Sequence, residues 1–192
     1  MKLVTFEATP GVPRAGAVAA DGKIVDLNLA YTLYARDVER EQAFERIALA
    51  RVPTDMRGIF EGGDTSLESC RNAVAFIEGH GKNVKGVNGE AIVHDAAAVK
   101  MKAPIQPKKF FHTAGNFREH HEEAQKAGFS HPVLPWIVFF QNVDAIIGPD
   151  EAIVYPEGLT EEVDYELELA VVLKKSGKFF DEVQARDTSA GT

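Results

Sequence analysis

The chain has 192 residues, 45% of them hydrophobic, with 21 Lys and Arg set against 29 Asp and Glu for a formal charge of −8. That is enough apolar material for a real core, in one domain or two small ones, and the acidic balance argues against nucleic acid or an anionic membrane surface as the main partner. A lone cysteine, Cys70, cannot form an internal disulfide, the apolar start after Met1 is too short for a signal peptide, and residues 136–140 are too short an apolar run to span a bilayer, so a soluble cytoplasmic protein is expected.

In chain order, residues 2–7 read as a strand. Residues 16–20 and 23–27 read as two more, joined by Asp21-Gly22, a dipeptide suited to a tight hairpin. From 38 to 50 the residues Val38, Ala43, Phe44, Ile47 and Ala48 recur at helical spacing with charge on the other face, which predicts an amphipathic helix ended by Pro53. Thr54 or Asp55 is placed to cap a short following helix. After the Gly62-Gly63 break a second long helix is expected over about 66–79, with Leu67, Cys70, Ala73, Val74 and Ile77 on one face. Residues 80–90 are glycine-rich and read as loop. Pro104 and Pro107 mark a boundary, and a domain junction is placed near 103, dividing the chain into 1–103 and 104–192. Beyond it, short apolar runs at 136–140, 145–147, 152–155 and 165–173 alternate with Pro and Gly, the texture of a β-rich domain. The fold class expected is α+β, mostly β.

Two stretches carry candidate chemistry. The first is His112-Thr113-Ala114-Gly115-Asn116-Phe117-Arg118-Glu119-His120-His121-Glu122-Glu123. It begins as a strand and turns into a helix after Asn116, a good N-cap residue. On that helix His120 and Glu123 lie three apart and share a face. A carboxylate beside an imidazole stabilises its protonated form and makes it a stronger base toward water. A solvated polar helix face explains the same pattern without function.

The second is Glu161-Glu162-Val163-Asp164-Tyr165-Glu166-Leu167-Glu168-Leu169-Ala170-Val171-Val172-Leu173. In a strand, residues two apart project to one side, so Glu166 and Glu168 point together while Tyr165, Leu167 and Leu169 point away. Adjacent carboxylates repel unless something positive lies between them, and a hard divalent cation is the natural partner. An amphipathic strand with a wet acidic face is the plainer alternative. The continuously apolar Ala170-Val171-Val172-Leu173 favours the metal, because it carries the strand toward a buried position.

Taken together and in this order, the segments resemble the fumarylacetoacetate hydrolase family. The resemblance rests on Gly115-Asn116-Phe117-Arg118-Glu119-His120-His121-Glu122-Glu123, on Val138-Phe139-Phe140, on Gly148-Pro149-Asp150 and above all on Asp164-Tyr165-Glu166-Leu167-Glu168-Leu169. It covers about residues 104–175, and residues 1–103 fit the family's more variable N-terminal region. It implies a small N-terminal α/β domain followed by the start of a mixed β-sandwich or β-roll catalytic domain, truncated in this chain. Glu166 and Glu168 would be two carboxylate ligands of Mg²⁺, Mn²⁺ or Ca²⁺. His120 and Glu123 would be a water-activating dyad, with Asn116, Phe117, Arg118 and Gln141 contacting substrate. The metal would chelate a dioxygen unit and stabilise an enolate. The expected activity is hydrolysis of a carbon–carbon bond in a small anionic β-dicarbonyl acid such as fumarylacetoacetate or an acylpyruvate. Decarboxylation, or enol–keto isomerisation of the 2-hydroxyhepta-2,4-diene-1,7-dioate isomerase type, serves as the alternative. A non-catalytic binding protein or inactive fragment is the reading from another class. A homodimer is expected by the same resemblance. Two departures stand out: Gln141 sits where the family often has Lys, and no third metal carboxylate is recognisable, since Glu182-Val183-Gln184-Ala185-Arg186-Asp187 lies too close to Glu168.

Overall fold

The alternation of Leu3, Val4, Thr5 and Phe6 does make a strand, and its two faces are buried in two different clusters. The computed structural model describes residues 1–81, 83–114, 117–126, 128 and 137–191, without the side chains of residues 120, 121, 124, 190 and 191. Met1–Ile105 together with Ile147–Thr192 make one compact unit and Gln106–Ile146 a second.

The first unit is built on a five-stranded antiparallel sheet of β1 (Lys2–Thr9), β2 (Val12–Val18), β3 (Ile24–Asp26), β4 (Val93–His94) and β5 (Lys100–Lys102), in the order β4-β3-β2-β1-β5. The Asp21-Gly22 hairpin forms as the sequence predicts. Gly22 adopts φ +81°, its N–H donates to the Ala19 carbonyl at 3.0 Å, and the Ala19 N–H donates to Lys23 at 2.9 Å. A second tight turn, with Gly11 at φ +77°, joins β1 to β2 where the sequence predicts no hairpin. Pro13 obscures the strand in sequence; it is tolerated because β3 pairs with β2 only from Gly16 onward.

Four helices follow: α1 (Leu27–Asp37), α2 (Phe44–Arg51), α3 (Met56–Glu61) and α4 (Gly63–His80). The helix expected over 38–50 is confined to α2, and α1 lies in a stretch assigned no helix. The reason is burial. Leu27, Asn28, Ala30, Tyr31, Thr32, Leu33 and Ala35 are all buried, so α1 shows no single apolar stripe against a polar one. Between α1 and α2, Arg40 takes φ +59°, which breaks the helical path. Asp55 caps α3 by accepting from the Gly58 N–H at 2.9 Å. Helix α4 buries Leu67, Cys70, Ala73 and Ile77, the face its spacing predicts.

One sheet face, with Ala15, Ala17 and Val25, joins the helices in the main core around Leu27, Tyr31, Val52, Ile59, Cys70 and Ile92. The other carries Val4, Phe6 and Ile24 under Val18, Val99 and Met101. Each fully buried large side chain contributes about 1.5–3 kcal/mol of transfer free energy. Polar groups inside are matched: Asn28 donates to the Val52 carbonyl at 2.7 Å and Thr32 to the Asn28 carbonyl at 2.7 Å. Among the described residues no buried side-chain N or O lacks a partner.

The second unit holds β6 (Phe110–Ala114), α5 (Arg118–Lys126) and β7 (Ile137–Gln141). Back in the first unit, β8 (Val172–Leu173) pairs with β9 (Ser189–Gly191) around α6 (Glu182–Arg186), which opens with a capping box at Asp181 and Gln184.

Strands expected over 145–147 and 152–155 do not form, and of the strand expected over 165–173 only Val172 and Leu173 are paired. An apolar alternation becomes a strand only where a neighbouring backbone completes the ladder. Among the described residues β9 alone does so here. Helix therefore outweighs strand: the fold is mixed α and β, and the expected β excess is corrected.

Candidate active site

Strand β6 contains the start of the first candidate segment and pairs antiparallel with β7. Its register sets Phe110 opposite Gln141, Phe111 opposite Phe140, His112 opposite Phe139 and Ala114 opposite Ile137. Gln141 closes β7 and is exposed. The His112 ring stacks on Phe139 with centroids 5.2 Å apart and planes 14° from parallel, and tilts against Phe110 at 4.6 Å. Sequence reasoning gave His112 no role; cross-strand aromatic pairing opposite a Phe-rich run was the available signal.

Helix α5 begins at Arg118, and Asn116, expected as its cap, lies outside the described residues. Phe117 precedes the helix and is exposed. Arg118 is 83% exposed and lies 3.9 Å from Glu122 one turn on, so it is a solvated group rather than a buried one. His120 and Glu123 both lie on α5, one turn apart as the spacing predicts. Glu123 is exposed, and the His120 side chain lies outside the described residues.

The second candidate segment belongs to the first unit. Residues 162–171 form no helix, turn or ladder, and Glu161, Glu162, Asp164, Glu166 and Glu168 are all exposed. Tyr165, Leu167 and Leu169 are exposed as well, at 87%, 96% and 70%. The buried environment expected after Glu168 is absent along this stretch. As donors, Glu166 and Glu168 suit a hard divalent cation, since both offer carboxylate oxygens from positions two apart. Among the described residues no group of three or more His, Cys, Asp and Glu gathers to complete a ligand set.

Sequence reasoning missed a third acidic feature. Glu151 Oε1 accepts from Lys100 Nζ at 2.9 Å and from Lys102 Nζ at 2.6 Å, while Oε2 accepts from the Gly148 N–H at 2.7 Å. The Gly148 N–H and the two ammonium groups hold the carboxyl down to about 2. Sequence distance hid this cluster, because the lysines and the glutamate lie some fifty residues apart.

Comparison with known proteins agrees with the motif reading. Residues 109–191 match the family description "Fumarylacetoacetate (FAA) hydrolase C-terminal". The chain is 41% identical over 92 residues to a fumarylacetoacetate hydrolase domain-containing protein 2 homolog of Dictyostelium discoideum, covering 48% of this chain and 28% of that one. It is 28% identical over 194 residues to the mitochondrial oxaloacetate tautomerase of Xenopus laevis, covering 100% of this chain and 50% of that protein. A mitochondrial oxaloacetate tautomerase of Bos taurus matches to the same extent. Residues 109–191 are thus similar to the C-terminal domain of the fumarylacetoacetate hydrolase family. The chain spans half the length of these relatives or less. Among the described residues no helix is long and apolar enough to cross a membrane.

Proposed function

We propose that the chain serves an enzyme of keto–enol chemistry on small anionic dicarbonyl acids. The carrying observation is the family match over 109–191, which contains both the α5 pair and the Glu166/Glu168 pair, together with tautomerase relatives aligned along the whole chain. Those relatives move the weight from carbon–carbon hydrolysis to enol–keto interconversion, with oxaloacetate the first substrate to try. Hydrolysis of a fumarylacetoacetate- or acylpyruvate-like acid is the second reading, supported by the family's description.

In this reading Glu166 and Glu168 supply two carboxylate ligands to Mg²⁺ or Mn²⁺, with Ca²⁺ a substitute. The bound cation supplies charge stabilisation to a substrate dioxygen unit. His120 on α5, with Glu123 one turn later, takes and returns the proton at substrate carbon or water. Asn116, Phe117, Arg118 and Gln141 would contact substrate. Gln141 offers an amide where a lysine would offer a charge, so it binds a carboxylate less strongly and by direction rather than by field. We further propose that residues 104–192 belong to a β-sandwich or β-roll catalytic domain after an N-terminal domain of 1–103, that the working assembly is a homodimer, and that the compartment is the cytoplasm.

The test is a product assay with Mn²⁺ on oxaloacetate and on acylpyruvates, following enol absorbance and cleavage products together. Enol loss without cleavage supports the tautomerase; cleavage products support the hydrolase; neither, with metal bound, removes the enzymatic reading. His120→Ala is expected to lower turnover about 10²–10⁴-fold while leaving Mn²⁺ affinity unchanged. Glu168→Ala is expected to abolish Mn²⁺ binding in titration calorimetry, and retained binding would take Glu168 out of the site.

A further inference from the structure

The segment that carries Glu166 and Glu168 is pinned at both ends to the N-terminal sheet and helices. At its start the turn from Gly148 to Glu151 closes on itself, the Glu151 N–H donating to the Gly148 carbonyl at 3.1 Å and the Gly148 N–H to the Glu151 carboxylate at 2.7 Å. That same carboxylate takes both lysines of β5, the edge strand of the sheet. Gly148 lies so near β5 that a Cβ there would stand 3.0 Å from the Met101 carbonyl. At the far end the Lys174 N–H donates to the Thr188 carbonyl at 2.8 Å, and Thr188 is buried. The Lys174 ammonium, itself only 14% exposed, pairs with Asp64 in the first turn of α4. Between the two anchors, residues 152–171 form neither helix nor ladder.

We propose that Glu151 and Lys174 are positioning residues that hold the two ends of a strap, so that Glu166 and Glu168 are presented to the cation from a span of set length. The physical basis is conformational. A chain tied at both ends samples far fewer arrangements than one tied at a single end, so less ordering remains to be done when a ligand draws the two carboxylates together. Affinity falls in proportion to the fraction of time the strap is competent, and loss of one anchor lowers that fraction. Each ion pair alone is a weak, partly exposed contact, but the lysine pair and the backbone bonds act on the same points. This inference rests on the reading of Glu166 and Glu168 as cation ligands.

The experiment uses the full chain and two readouts, amide hydrogen exchange by mass spectrometry and Mn²⁺ binding followed by electron paramagnetic resonance. The variants are Glu151→Gln, Lys174→Met and the conservative Lys174→Arg. Glu151→Gln is expected to speed exchange at 148–153 and Lys174→Met at 172–176, with α1 and α4 amides unchanged. Both are expected to weaken Mn²⁺ binding about threefold or more, with Lys174→Arg restoring it. Unchanged exchange at the anchors overturns the inference, as does faster exchange with unaltered Mn²⁺ affinity. If the unsubstituted chain takes up no Mn²⁺, the ligand reading fails, and exchange at the anchors alone then decides whether the strap is held.

Discussion

Asp26 serves several partners at once. Its Oδ1 caps α1 by accepting from the Leu29 N–H at 3.0 Å, and its two oxygens take the Arg14 guanidinium, which Nη2 reaches at 2.9 Å. The carboxylate is buried, so removing it strands the part-buried Arg14 cation and the Leu29 N–H together. Asp26→Ala is expected to cost about 3–5 kcal/mol in urea unfolding, and Asp26→Asn less, because the amide retains the cap. Glu151 sets an acid limit. Its folded pKa, about 2, lies below the model-compound value of 4.5, so its contribution is fully present above pH 4.5 and is lost as pH falls toward 2. Unfolding measured over that window should show a decline that Glu151→Gln makes shallower, with Asp37, Asp64 and Glu90, also held below their ordinary values by their partners, carrying the rest. Cys70 behaves oppositely. Burial pushes its thiol up to about 12, so the neutral form persists, and a maleimide should label it only once the protein is unfolded. Rapid labelling of the native chain would contradict its place in the core.

Elements were legible where one face met the core and the other met solvent. Helix α4 and the Asp21-Gly22 hairpin follow directly from their spacing and turn chemistry. Helix α1 was hidden because burial on nearly every side erases the amphipathic period, and β2 was hidden by Pro13. The sheet also holds a tight spot that spacing cannot show. Gly16 lies on the face of Val4, Phe6 and Ile24, and a Cβ there would stand 2.8 Å from Ile24 Cγ2 and from the Phe6 ring. Gly16→Ala should therefore lower stability by about 1–3 kcal/mol through overpacking, with the thermal midpoint as the readout. A neutral or stabilising result would mean that β2 and β3 part more easily than this packing implies.

Across the whole molecule, stability is concentrated unevenly. The buried clusters draw on β1, β2, β3 and helices α1 to α4, while 152–171 contributes exposed Ile153, Val154, Leu159, Tyr165 and Leu167. Amides of α1 and α4 should exchange slowest, near the global unfolding limit, and those of 162–171 near the rate of an open chain. Equal protection in both regions would show that the acidic segment has backbone partners beyond those described.

By itself the sequence carries the resemblance to the fumarylacetoacetate hydrolase family, through short motifs whose residue types and order are local: the Gly115–Glu123 stretch and the Asp164–Leu169 signature. It also determined the α4 face and the Asp21-Gly22 hairpin, since turn chemistry and helical spacing are local. Tertiary structure alone decided which apolar alternations become strands, because a ladder needs a second backbone that no single segment contains. It alone brought Glu151 to Lys100 and Lys102, and Lys174 to Asp64, because pairing charges across separations of 49 to 110 residues depends on how the chain returns on itself, which local spacing does not encode.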